Sequence, residues 1–234
     1  MKHTIELDGK KYELTITPIE IPVQKPEKIE LKRHVYEDVE MKTRWTNAPK
    51  GLIVHFHAGH RDSRNNSLST LQLGKKNGYK YICLEEDGVL HFPKSDKTAS
   101  GIPSFYGHGY HCGTRHHHDH VGVEIICSGK LGYFSGLFKT WFKKVIPVKE
   151  VRKVAAKDNV KAGYYQSFTT EQEKALVDLC LYLDATYDSF SLDRVLGHDE
   201  VAPESKNDPG GSLSMTMPEF REFLKAEKSR RKKL

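Results

Sequence analysis

The sequence lacks any apolar run approaching the ~20 residues that a membrane-spanning helix requires. Its first twenty positions alternate charged with apolar residues instead of forming a signal peptide's apolar block, so a chain that is neither anchored nor exported is expected. Cysteine is scarce: Cys83, Cys112, Cys127 and Cys180 are the only four, none in CxxC spacing, and free thiols are expected instead of a disulfide framework. No internal repeat is present, which excludes a solenoid. With 37% hydrophobic and 29% charged residues and a mean hydropathy of -0.61, the chain is neither fibrous nor wholly disordered. Its 234 residues suffice for one domain with a real core.

Histidine is abundant, with thirteen residues, six of them between His108 and His120. The formal net charge is +6, and the Lys- and Arg-rich stretch Lys225 to Lys233 makes a basic C-terminus able to contact an anionic wall or membrane surface. No aromatic-basic platform or recognition helix accompanies that charge, so a specific nucleic-acid partner is not expected.

Alternation on both sides of Asp8-Gly9 predicts a hairpin that adds an edge or appendage to the main sheet, followed by an extended Pro-, Lys- and Glu-rich connector over 20–33. Gly51-Leu-Ile-Val-His-Phe-His reads as a buried strand, Ser67 to Lys76 as a short helix ended by Gly78, and Tyr79 to Phe92 as a hairpin turning at Asp87-Gly88. Val121 to Cys127 is a β-rich strand carrying one carboxylate, Glu124. A capping box at Thr170-Glu-Gln-Glu173 opens a helix whose Leu176, Leu179, Cys180, Leu183 and Tyr187 share one face. Arg194 to Gly197 forms a short strand ending at His198, and a last helix is capped at Thr216. Strands interleaved with helices indicate a mixed α/β domain, a twisted central sheet flanked by helices.

His198 closes a strand, and Asp208 follows ten positions later in a loop fixed by Pro and Gly. With His55 from the buried strand, two imidazoles and a carboxylate match the open zinc site of a hydrolase. On residue types and spacing alone, a surface-turn histidine and a capping aspartate would look the same. Lys206 is equally readable as a solvated loop lysine, and Glu124 as a buried carboxylate paired to a neighbouring donor.

Four segments in order resemble the zinc-dependent N-acetylmuramoyl-L-alanine amidases of the peptidoglycan-recognition fold, the type-2 family that includes phage endolysins and wall-recycling enzymes. They are Leu52-Ile-Val-His55-Phe-His57-Ala-Gly; His111-Cys-Gly with Val121-Gly-Val-Glu124-Ile; Phe168-Thr-Thr-Glu-Gln172-Glu-Lys-Ala-Leu176; and Gly197-His198 through Lys206-Asn-Asp208-Pro-Gly. The likeness implies Zn²⁺ held by His55, His198 and Asp208, Lys206 as the oxyanion stabiliser and Glu124 as the proton acceptor. It makes His111 a substrate contact, although Tyr110 replaces the family's tryptophan. Tyr81 stands where most relatives have histidine and Lys80 where some phage enzymes have a catalytic tyrosine; Tyr81 is therefore a second substrate-binding candidate and Glu124 the preferred base. His57 and His60 read as groove or supporting residues, and Arg115 to His120 as an exposed loop, with a second metal site or a pH-sensitive wall contact as alternatives.

The expected organisation is a hairpin and connector over 1–48, a catalytic domain over 49–224 and a basic tail over 225–234. The activity implied is cleavage of the amide between N-acetylmuramic acid and L-alanine in peptidoglycan, by a phage endolysin that waits in the host cytoplasm before release to the wall. A cytoplasmic recycling amidase and a non-catalytic peptidoglycan-recognition module are the alternatives.

Overall fold

The computed structural model describes residues 2–7, 10–15, 29–59, 66–95 and 102–232. The central sheet is built from β3 (Arg33–Tyr36), β4 (Gly51–Phe56), β5 (Ile82–Leu84), β6 (Leu90–Pro93), β7 (His120–Ile125) and β13 (Val195–Gly197), in the spatial order β13-β4-β7-β5-β6-β3. β13, β4, β7 and β5 run parallel, β6 is antiparallel to β5, and β3 is parallel to β6, so the sheet is mixed as expected.

Alternation along the parallel strands divides their side chains between two faces. Leu52, Val54, Val121, Val123 and Ile125 lie in the large core with Leu176, Leu179, Leu183, Phe220 and Leu224 of α2 (Thr170–Thr186) and α4 (Met217–Lys232). Each fully buried leucine there contributes roughly 2 kcal/mol through removal of apolar surface from water. On the other face Tyr81, Cys83 and Ile126 pack with Leu71 of α1 (Asn66–Asn77) and with Val39 and Met41. α1 covers part of this face; His55 and Glu124 occupy the part beside it.

The cap of α2 sits one residue earlier than the sequence suggests. Thr169 Oγ1 accepts the Gln172 N–H at 3.0 Å, and Gln172 Oε1 accepts the Thr169 N–H at 3.0 Å. The Gln172 amide also donates to the carbonyls of Leu84 and Ile126, at 3.3 and 3.0 Å. A glutamate has no donor for those carbonyls, which is why glutamine closes the box. Glu173 instead accepts from Ser214, at 2.8 Å from its backbone nitrogen and 2.6 Å from its hydroxyl.

A second sheet was not anticipated. β8 (Lys130–Phe134), β9 (Leu137–Lys139), β10 (Val145–Ile146), β11 (Val151–Val154) and β12 (Gly163–Gln166) form an antiparallel unit in the order β10-β9-β8-β12-β11. Tyr133 and Phe134 are adjacent, as are Tyr164 and Tyr165, so apolar residues point to both faces and the period-2 signal of a half-buried strand is missing. β12 ties this unit to the body: Phe168 donates its N–H to Ser212 O at 2.8 Å, and the Tyr165 ring lies against Gly210 and Gly211.

β1 (Lys2–Leu7) and β2 (Lys10–Thr15) form their own two-stranded sheet rather than an edge of the central one. Their expected turn at Asp8-Gly9, most of the connector (20–28) and His60 lie outside the described residues. The expectation that the last helix dissolves into a basic tail is corrected, since α4 continues to Lys232. Its cations are internally paired: Lys225 with Asp193 (2.6 Å), Lys228 with Asp184 (2.6 Å), Arg230 with Glu227 (2.7 Å) and Arg231 with Asp178 (2.8 Å). Among the described residues no helix is long and apolar enough to cross a membrane.

Candidate metal centre and groove

Strand register does much of the assembly. Gly197 of β13 pairs with Val54 of β4, so the next residue of each strand, His198 and His55, emerges at the same level; His55 in turn pairs with Glu124 of β7. All three lie toward the carboxyl ends of parallel strands, where open α/β sheets present their binding crevices. Past β13 the chain turns through α3 (His198–Val201) and folds back, with the Asp199 N–H donated to Asp208 O at 2.7 Å. That bond brings Asp208 beside His198.

His55 Nδ1 lies 2.9 Å from His198 Nδ1 and 3.1 Å from Asp208 Oδ2, and His198 Nδ1 lies 2.9 Å from the same oxygen. The outer ring nitrogens fix which atoms carry hydrogens. Backbone carbonyls only accept, so His198 Nε2 donates to Cys112 O (3.2 Å) and His111 Nε2 donates to His120 O (3.1 Å). Burial holds His111 neutral and its pKa well below the ordinary value. Its Nδ1 is then a bare acceptor that takes the N–H of His55 Nε2 at 3.2 Å. His55 is also kept neutral by burial, which outweighs the pull of the Asp208 carboxylate that acts the other way. Nδ1 of His55, Nδ1 of His198 and Oδ2 of Asp208 thus converge on one point.

Such a convergence calls for a cation. Tetrahedral coordination at ~2.0–2.1 Å would separate ligand atoms by ~3.3 Å, close to the triangle observed. The donor set therefore fits zinc: two imidazoles whose outer N–H groups are held by protein acceptors, plus one carboxylate. His55, His198 and Asp208 are all buried, and theirs is the only cluster of potential metal-binding side chains among the described residues. Burial works against the charged form of Asp208, but the His198 and His55 imidazoles set against it outweigh burial and keep the carboxyl ionised well below its ordinary range.

The triangle lies in a groove of about 680 Å³ also lined by Glu124, Lys206, His57, Tyr79, Tyr81 and Tyr110. Glu124 has its pKa raised to about 8, first by burial and then by the charge of Asp208, with Lys206 opposing. Lys206 is exposed at the rim, its backbone N–H bonded to Ala202 O at 3.0 Å.

Two of the expected groove contacts already have protein partners, and one expected loop is structured. Both nitrogens of His111 are engaged by protein, and it holds His55. The Tyr81 hydroxyl donates to Thr70 O at 2.8 Å, which commits it to α1, and burial raises its pKa far above the ordinary tyrosine value. Arg115 to His118 is a 3-10 turn and not a freely exposed loop: His117 is buried and stacks on Trp45 with ring centroids 5.0 Å apart, and His120 is buried on β7. His57 Nδ1 accepts the Cys127 N–H at 3.3 Å, and Lys80 donates to Thr43 Oγ1 at 2.7 Å, away from the groove. The sequence reading missed the wall that α1 supplies, although Thr70, Leu73 and Asn77 recur at helical spacing. It also missed Asp199, buried behind the loop and raised to about 7 by burial and then by the charge of Asp208.

Residues 45–211 match the family described as N-acetylmuramoyl-L-alanine amidase. The chain belongs to that family. It is thus an enzyme of the amidase class, and its mixed sheet with flanking helices is the type-2 amidase fold. No curated protein matches the chain. Among solved structures it is similar to the amidase AmiD from E. coli, in complex with anhydro-N-acetylmuramic acid-L-Ala-D-gamma-Glu-L-Lys, at 16% identity and a TM-score of 0.42 over 89% of this chain. It spans only 62% of the length of that protein. It is also similar to the amidase LysC from Clostridium intestinale (14% identity, TM-score 0.48, 85% of this chain and 96% of that one). A third similar structure is the Drosophila peptidoglycan recognition protein SD (14%, 0.42, 79% and 91%).

Proposed function

We propose that this amidase is a zinc hydrolase that cleaves the amide between the lactyl group of N-acetylmuramic acid and L-alanine in peptidoglycan. The observation that carries the reading is the convergence of His55 Nδ1, His198 Nδ1 and Asp208 Oδ2 within 3.1 Å of one another, beside Glu124. When bound, zinc supplies Lewis acidity, polarising a carbonyl and acidifying a water.

The protein groups do the rest. Glu124, with a pKa of about 8, is poised to take a proton from the attacking water and deliver it to the departing amine. Lys206 presents an ammonium at the rim, able to hold negative charge as it develops on the carbonyl oxygen. His111 keeps His55 in the tautomer that leaves Nδ1 bare.

The setting we infer is wall lysis by a phage endolysin held in the host cytoplasm until release, with wall recycling as the alternative. The rim supports it: Leu73, Tyr79 and Tyr110 are 55%, 43% and 38% exposed and leave the groove flanks open for a glycan strand on either side of the scissile bond. Metal analysis combined with digestion of purified sacculi tests both parts. The reading requires about one zinc per chain, muropeptide release that a chelator abolishes, and activity on intact sacculi. Chelator-resistant release removes the zinc; cleavage confined to small anhydro-muropeptides moves the enzyme to recycling.

A further inference from the structure

Charge and exposed apolar surface concentrate in the second sheet. Residues 130–166 hold nine of the chain's 37 Lys and Arg but only two of its 31 Asp and Glu, so this segment accounts for the whole formal charge of +6 and the remainder is slightly acidic. Among the described residues, six of the eleven large apolar side chains left exposed lie between Tyr133 and Val148, a concentration that single scattered residues would not give. Trp141 is 75% exposed, Val148 73% and Phe134 65%, and Tyr133, Leu137 and Val145 are also exposed.

We propose that this outer edge of the β8–β10 sheet docks on a bilayer bearing anionic phospholipid headgroups. Register places Phe134, Leu137, Lys139 and Val145 on one face: Phe134 pairs with Leu137, and Lys139 with Gly132 and Val145. The bare Gly132 lets the Phe134 ring lie over it, where a Cβ would meet the ring at 2.3 Å. At the β9–β10 turn the Trp141 indole N–H is donated to Ala58 O at 2.7 Å, so the ring is held in place while its apolar surface stays in water. Lys139, Lys143 and Lys149 have no carboxylate partner among the described residues, in contrast to the paired cations of α4.

The composition favours lipid over a carbohydrate polymer. Sugar rings stack on aromatic faces, but Leu137, Val145 and Val148 offer none; exposed aliphatic tips gain by leaving water for the acyl boundary. Lysine stems can lie along that boundary with their ammonium groups at headgroup phosphates, and tryptophan and tyrosine suit the interface. Because Ala58 also lines the catalytic groove, docking would hold that groove close to the bilayer surface.

The test uses the full chain and vesicles containing phosphatidylglycerol, compared with vesicles of phosphatidylcholine alone, read by co-sedimentation and by tryptophan emission. Binding to the anionic vesicles with a blue shift that Trp141→Phe removes is expected. Lys139→Glu with Lys143→Glu should weaken that binding about tenfold or more, Phe134→Ser with Val148→Ser should also weaken it, and Lys225→Ala should not. Circular dichroism and cleavage of a soluble muropeptide, both unchanged, verify that the variants fold. Equal binding to neutral vesicles, binding indifferent to these substitutions, or binding to sacculi without binding to vesicles would each overturn the proposal. Because the readout is vesicle binding, a chain that binds but cuts nothing overturns the amidase reading alone.

Discussion

His111 stands between two fixed points: its Nδ1 accepts the His55 Nε2–H at 3.2 Å, and its Nε2–H is donated to the His120 carbonyl at 3.1 Å. The ring lies over Gly122, where a Cβ would come within 2.7 Å of it, so β7 makes room for it with a residue that has no side chain. His111→Ala should weaken zinc binding roughly 10- to 100-fold, measured by competition with a chromophoric chelator, and should lower kcat with little change in KM at saturating zinc. His111→Gln, whose amide oxygen can still accept, should recover part of the affinity. A raised KM with unaltered zinc affinity would return His111 to the substrate-contact role.

Glu124 gives a pH prediction whose sign is fixed by its task. As proton acceptor it works only ionised, so kcat/KM should rise with pH along an acid limb lying above the ordinary glutamate value of 4.5 and no higher than about 8. Burial sets the upward displacement, and cationic charge in the groove draws it back down. Glu124→Gln should reduce kcat by about 10²–10⁴ and abolish the limb while the chain still binds zinc. A limb that persists in the glutamine variant would move the base elsewhere.

Arg221 anchors the metal centre from behind. It grips Glu200 with two hydrogen bonds of 2.8 and 2.9 Å and donates to Val195 O at 3.0 Å, while Glu200 accepts the Gly197 N–H at 2.9 Å. Both side chains are mostly buried, so Arg221→Ala strands a carboxylate two residues from His198. A loss of about 3 kcal/mol in urea denaturation is expected, with Arg221→Lys intermediate because it cannot form the two-pronged contact. An unchanged midpoint in the alanine variant would mean that the pair contributes nothing net.

These residues differ in how far the sequence disclosed them. His55 and His198 were readable because each ends a short apolar run, and Asp208 because Pro and Gly fix its loop; parallel register then supplied an adjacency that no spacing rule contains. The role of His111 was hidden because its partners are a second imidazole and a backbone carbonyl, and carbonyls leave no mark on a sequence. The second sheet was hidden because Tyr133-Phe134 and Tyr164-Tyr165 erase alternation. The charge was misassigned for a related reason. A run of Lys and Arg at the C-terminus draws the eye, but Asp178, Asp184 and Asp193 are brought to it only by folding, whereas the lysines of 130–166 are spread through short strands.

Histidine burial makes the fold acid-sensitive, and His120 isolates the effect. Its Nδ1–H is donated to Asp119 at 2.7 Å, while its Nε2 is buried with no partner among the described residues. Burial lowers its pKa to about 4, against the pull of Asp119. Below the ordinary value of 6.5 the unfolded chain binds a proton at this ring that the folded chain refuses until about pH 4. The contribution is therefore whole above pH 6.5 and is lost as pH falls toward 4, on the order of 3 kcal/mol from this group. His91, His108, His116 and His117 are also lowered by burial and act in the same direction. In urea titrations between pH 7.5 and 4.5, His120→Asn, whose amide can keep the bond to Asp119, should lose stability more gently than the parent, the difference growing toward one proton per chain. Parallel pH curves for the two would show that the ring does not carry the linkage.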